Sequence, residues 1–82
     1  MKWIDDVKGA LEELGGKAHL SKIYPLVEGR RKQRNDSIGQ LKAWVRYTLQ
    51  QNSRGKGYDI FFPVQIGSGI WRLKQDTPRS VV

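Results

Sequence analysis

The chain has 82 residues, of which 15 are Lys or Arg and 8 are Asp or Glu, giving a formal charge of +7 and an isoelectric point near 10.1. That length holds one domain, and 38% hydrophobic residues with three Trp, three Tyr and two Phe exclude a disordered basic tail. The lack of cysteine excludes disulfides and thiolate metal sites, and no apolar run reaches the length of a membrane span or signal-peptide core, so a cytoplasmic, nucleoid-associated protein is expected.

The first helix is expected over residues 3–14, where Ile4, Val7, Leu11 and Leu14 recur at helical spacing. Asp5 and Asp6 suit the positive end of its dipole, and Gly15-Gly16 marks its end. Residues 17–20 are long enough only for a linking strand. Ser21 is placed to cap a second helix over residues 22–31, with Ile23, Leu26 and Val27 as a narrow apolar stripe and Pro25 in the first turn, where a missing N–H costs least. Arg30, Arg31, Lys32 and Arg34 follow, and Asn35-Asp36 turns the chain into Ser37. Four cations thus stand just ahead of the next helix, whose free N–H groups also attract phosphate.

Ser37 and Gln40 form an S-x-x-Q capping box, which predicts a third helix over about residues 38–51. Ile38, Leu41, Trp44, Val45, Thr48 and Leu49 make the face to be buried. The opposite face carries Gly39, Lys42, Ala43, Arg46, Tyr47 and Gln50. Small residues there allow close approach, and Arg and Gln can pair with guanine or adenine edges or with phosphate. Such a face suits a DNA major groove, although many polar helix faces are only solvated.

Residues 51–57 read as a loop, broken by Asn52, Ser53, Gly55 and Gly57 and kept cationic by Arg54 and Lys56. A strand follows over residues 58–66, with Ile60, Phe62, Val64 and Ile66 on one side and Phe61, Pro63 and Gln65 on the other. Pro63 has no N–H to donate and marks an edge strand. Gly67-Ser68-Gly69 makes a tight hairpin connection, and residues 70–74 return with Trp71 and Leu73 toward the core and Ile70 and Arg72 outward. A flexible tail at 76–82 then follows a domain of residues 1–75. The charge is unevenly spread: residues 1–28 sum to −1, whereas residues 29–82 carry eleven cations against three carboxylates and sum to +8. Basicity concentrated around the third helix favours a polyanionic partner.

Helix, short strand, helix, helix, hairpin is the order of an α+β winged helix: three helices, the second and third forming a helix-turn-helix, over a small antiparallel sheet with a short β-hairpin wing. The runs Leu14-Gly15-Gly16-Lys17-Ala18-His19-Leu20-Ser21-Lys22-Ile23-Tyr24, Trp44-Val45-Arg46-Tyr47-Thr48-Leu49-Gln50 and Gly67-Ser68-Gly69-Ile70-Trp71-Arg72-Leu73 resemble winged helix-turn-helix DNA-binding domains. More narrowly, the chain resembles the small winged-helix modules attached to bacterial HNH-type restriction endonucleases, and distantly the HARE-HTH domains. The resemblance implies that the third helix enters the major groove with Arg46 and Gln50 on its DNA side, that the loop at Ser53 and the wing contact backbone, and that modified bases are sensed. No nuclease domain follows the winged helix in this sequence, so a free-standing regulator or the DNA-reading module of a restriction-type system, excised from a larger chain, is expected.

The expected interface places Gln40, Arg46, Tyr47 and Gln50 at bases or groove walls and Arg30, Arg31, Lys32, Arg34, Lys42, Arg54 and Lys56 at phosphates, with Ser37 and Ser53 at the two ends of the helix. Double-stranded DNA is the expected partner, together with a second copy of the chain or a larger protein carrying an effector domain, and no membrane. The alternative is a winged-helix protein-interaction module, for which Ile70 and Phe61 on the hairpin's outer face would supply the apolar patch. Structured RNA is a weaker option, because its deep A-form groove excludes a helix. No enzyme, metal or cofactor is expected. His19 is the single histidine with no ligand set at suitable spacing, and Asp5-Asp6 and Glu12-Glu13 are consecutive on a helix and splay apart. Trp3, Trp44 and Trp71 fall on the apolar phase of their elements and are assigned to the core.

Overall fold

A computed structural model describes residues 2–65 and 67–74, so the expectations for Ile66 and for the tail at 76–82 lie outside the described residues. The first helix, α1 (Trp3–Glu13), buries Val7, Ala10 and Leu11 completely. Its end follows from Gly15 and Gly16, with φ of 87° and 94°. The Gly16 N–H donates to the Leu11 carbonyl at 2.8 Å and the Gly15 N–H to the Glu12 carbonyl at 3.1 Å, the two bonds of a Schellman motif.

Strand β1 (Lys17–His19) runs directly into α2 (Leu20–Gln33). The second helix starts earlier than expected because His19, held extended opposite Ile70 in the sheet, is itself the N-cap. Its Nδ1 accepts from the Ser21 N–H at 3.0 Å, so Ser21 is capped rather than capping. Pro25 consequently falls at the sixth helical position, beyond the first turn.

The third helix, α3 (Leu41–Gln51), starts later than the capping-box pattern predicts. Gly39 takes a left-handed φ of 47°, which no helix interior accepts, and Gln40 is an N-cap without a side-chain bond. Ser37 makes no cap; its carbonyl accepts from Arg31 Nε at 2.6 Å, which ties the turn back to α2. Arg31 is in turn gripped by Asp6 of α1, Nη1 to Oδ2 at 2.7 Å, with Asp6 only 1% and Arg31 only 6% exposed. Arg34 Nη2 reaches both Asp6 oxygens at 2.8 Å and Asp36 at 2.8 Å, and this Arg34 bond holds the Asp36 carboxyl below the usual carboxylate range. One buried carboxylate of α1 is thereby linked, through Arg31 and Arg34, to the turn ahead of α3.

Val7, Ala10, Leu11, Ile23, Val27, Val45, Leu49 and Phe61 form the core, so all three helices and the sheet contribute. The sheet is antiparallel in the order β1-β3-β2, with β3 (Ile70–Leu73) central and β2 (Phe61–Pro63) at an edge, where Pro63 belongs. The fold is α+β in a winged-helix arrangement, with the linking strand added to the hairpin. The side-chain phase of the strand expected over 58–66 is reversed. Phe61 lies opposite Leu73 and is fully buried, Phe62 lies opposite Arg72 with the guanidinium 4.9 Å from its ring, and Val64 is exposed. The cause is Asn52, whose carbonyl accepts from the Ile60 and Phe61 N–H groups at 2.8 and 3.1 Å and whose Oδ1 accepts from Tyr58 N–H at 2.9 Å, holding the first half of the expected strand as loop. With Phe61 inside, the expected Ile70–Phe61 surface patch does not form. The wing is also longer than a tight Gly-Ser-Gly turn, closing with Val64 N–H to the Ile70 carbonyl at 2.9 Å and Ser68 N–H to the Gln65 carbonyl at 3.0 Å.

Candidate nucleic-acid interface

Because Val45, Thr48 and Leu49 are buried, the helical repeat turns Lys42, Ala43, Arg46, Tyr47 and Gln50 to solvent, and all five are exposed. These are the residues expected on the free face of the helix. No carboxylate occurs in α3, and its charged side chains are the cations Lys42 and Arg46. Tyr24 of α2, whose role the sequence leaves open, organises the cationic edge: its hydroxyl accepts from Arg46 Nη1 at 3.3 Å, and Lys42 Nζ lies 5.6 Å from its ring centre. Arg46 and Lys42 therefore project side by side from the helix-turn-helix.

Both ends of the helix carry further candidates. At the N-terminal end Gln40 and Ser37 are exposed, and the Ser37 side chain is not engaged in capping. At the C-terminal end Asn52 Nδ2 donates to the Thr48 carbonyl at 2.8 Å, finishing the helix. Arg54 and Lys56 are exposed on the loop beyond. That loop is held by Asp59, which accepts from the Gly55 N–H at 2.9 Å and pairs with Lys74 Nζ at 2.7 Å. The Lys74 ammonium, and then the Gly55 N–H, keep the Asp59 carboxyl below the usual carboxylate range. The loop contact expected of Ser53 is corrected. Ser53 is buried, its hydroxyl donating to the Gln50 carbonyl at 3.0 Å while its backbone bridges to Phe61.

The basic run ahead of α3 is arranged differently from the expected phosphate cluster. Arg30 pairs with Glu13 at 2.8 Å and lies over Gly9, where a Cβ would come within 2.6 Å of the guanidinium carbon. Arg31 is buried on Asp6, and Arg34 is shared between Asp6 and Asp36. Three of these four cations join helices and the turn to one another, and a buried Arg31 cannot face a phosphate. Lys32 is exposed and pairs with Glu28 only at 3.3 Å across one helical turn, a contact worth a few tenths of a kcal/mol at about the i,i+4 level. Among the described residues, Lys42, Arg46, Arg54 and Lys56 form no ion pair.

Trp44 corrects the core assignment. It is 46% exposed, stacked on Trp3 with ring centres 5.9 Å apart and planes 8° apart, and meets Tyr47 edge-on at 5.8 Å. At 100° per residue Trp44 lies at the border of the buried arc, which an apolar-or-polar label does not resolve. Among the described residues no group of three His, Cys, Asp or Glu side chains could hold a metal ion, and no helix is long and apolar enough to cross a membrane. Comparison of the chain with family models, with curated proteins and with solved structures returns no match.

Proposed function

We propose that the chain binds double-stranded DNA with α3 in the major groove, as a nucleoid-associated regulator or as the reading module of a restriction-type system, in keeping with the restriction-associated winged helices it resembles. The observation that carries this reading is the exposed strip Lys42, Ala43, Arg46, Tyr47 and Gln50 on a helix without a carboxylate. Ala43 permits close approach, Arg46 and Gln50 have the donor geometry for guanine and adenine edges, and Gln40 stands at the end of the helix that would enter first. Lys32, Lys42, Arg54 and Lys56 supply phosphate contacts around it.

With Arg30, Arg31 and Arg34 committed to internal pairs, fewer phosphates are engaged than the +7 charge suggests. Fluorescence anisotropy with a generic duplex across a salt series should give log K against log salt with a slope of about −2.7 to −4.5, from roughly three to five phosphates at 0.9 each. No binding at low salt would overturn the groove reading of α3. Arg46→Ala should weaken binding by about 1–3 kcal/mol, and more at a preferred sequence than at an unrelated one if Arg46 reads a base. An equal loss at both sequences would make Arg46 a phosphate contact.

A further inference from the structure

Arg31, Trp3 and Trp44 form a column. The Arg31 guanidinium carbon lies 3.7 Å from the Trp3 ring centre, Trp3 stacks on Trp44 at 5.9 Å, and Tyr47 stands against Trp44 with planes 85° apart. The base of the column is fixed, because Arg31 is buried and locked to Asp6 at 2.7 Å. Its outer end is open, with Trp44 46% and Tyr47 56% exposed. The free arc of α3 thus has two unlike edges: Lys42 and Arg46 toward α2, and Trp44 and Tyr47 toward the start of α1.

A pre-stacked indole with an open side fits a flat π-system, and the cationic charge along the same helix favours one that carries phosphate. A nucleobase meets both conditions. In the interior of a duplex its face is covered by the neighbouring pairs and at a blunt end the terminal pair offers one face held in the duplex, whereas an unpaired base is free to turn onto the indole. We propose that Trp44, flanked by Tyr47, is a stacking site for an unpaired base at a DNA end or junction, so that the domain prefers a duplex with a single-stranded overhang to a blunt one. This rests on the DNA reading of α3 and adds a substrate preference to it.

The test uses the full chain and three labelled duplexes of about 20 base pairs: blunt, with an overhang of about five nucleotides at either end, and with the same overhang made abasic so that phosphates are matched. The base-bearing overhang should bind about 5- to 150-fold more tightly than the abasic one, the range that loss of one base stack spans, and should quench tryptophan fluorescence. Trp44→Ala should abolish that difference, and Trp44→Phe, which keeps an aromatic ring, should retain part of it. Equal affinity for base-bearing and abasic overhangs, with blunt duplex still bound, overturns the stacking site and leaves the groove reading standing. A preference that survives in Trp44→Ala also overturns it, and absence of binding to all three duplexes overturns both.

Discussion

Asparagine in place of Asp6 is expected to lower the stability of the fold by about 3–5 kcal/mol, because it removes the buried carboxylate that pairs with the buried Arg31 charge. Asp6 accepts from Arg31 at 2.7 Å and from Arg34 at 2.8 Å, and the cost of removing it is dominated by the partner that cannot reach water. For a domain of this size, with a total stability toward the low end of about 5–15 kcal/mol, much of the population should unfold. Thermal unfolding followed by circular dichroism should show a melting temperature lower by more than about 10 °C. Arg34→Ala supplies the contrast. Arg34 is partly exposed and its pairs are screened by solvent, so a much smaller loss is expected. Near-equal effects of the two substitutions would show that the triad behaves as a surface cluster and not as a buried link between α1 and α2.

Phe61→Ala is expected to cost about 3–5 kcal/mol, the range for emptying a large buried ring, whereas Phe62→Ala should cost less than about 1.5 kcal/mol. Phe61 is fully buried between the helices and Leu73, while Phe62 loses mainly its contact with Arg72 at 4.9 Å. Urea unfolding of the two variants decides the phase of β2 directly. If Phe62→Ala were the damaging change, the alternation read from residues 58–66 would be right and the observed register wrong.

These two experiments fall where local pattern and tertiary structure part. The periodic apolar stripes of α1 and α3, the glycine pair ending α1 and the edge position of Pro63 were legible because each depends on a property of a short stretch: helical repeat, access to positive φ, or a missing N–H. The exposed strip of α3 was legible for the same reason. The start of α3 was not. Ser37 and Gln40 spell a capping box, but the Ser37 carbonyl is held by Arg31 and Arg31 by Asp6, 25 residues before it in the chain. Nor could charge counting tell Arg30, Arg31 and Arg34 from Lys42 and Arg46, since a cation's partner is chosen by the fold.

By itself, then, the sequence determined the order of the elements, the α+β class and which side of the third helix stays in water, because those follow from spacing and from backbone chemistry carried by individual residues. Only the tertiary structure decided which of two apolar sides of residues 58–66 faces inward. Both sides carry large apolar residues, and the choice belongs to Leu73 across the ladder and to the Asn52 clasp. It likewise decided which arginines are structural and that Trp44 is left open to solvent, since burial is a property of what packs against a side chain and not of the side chain alone.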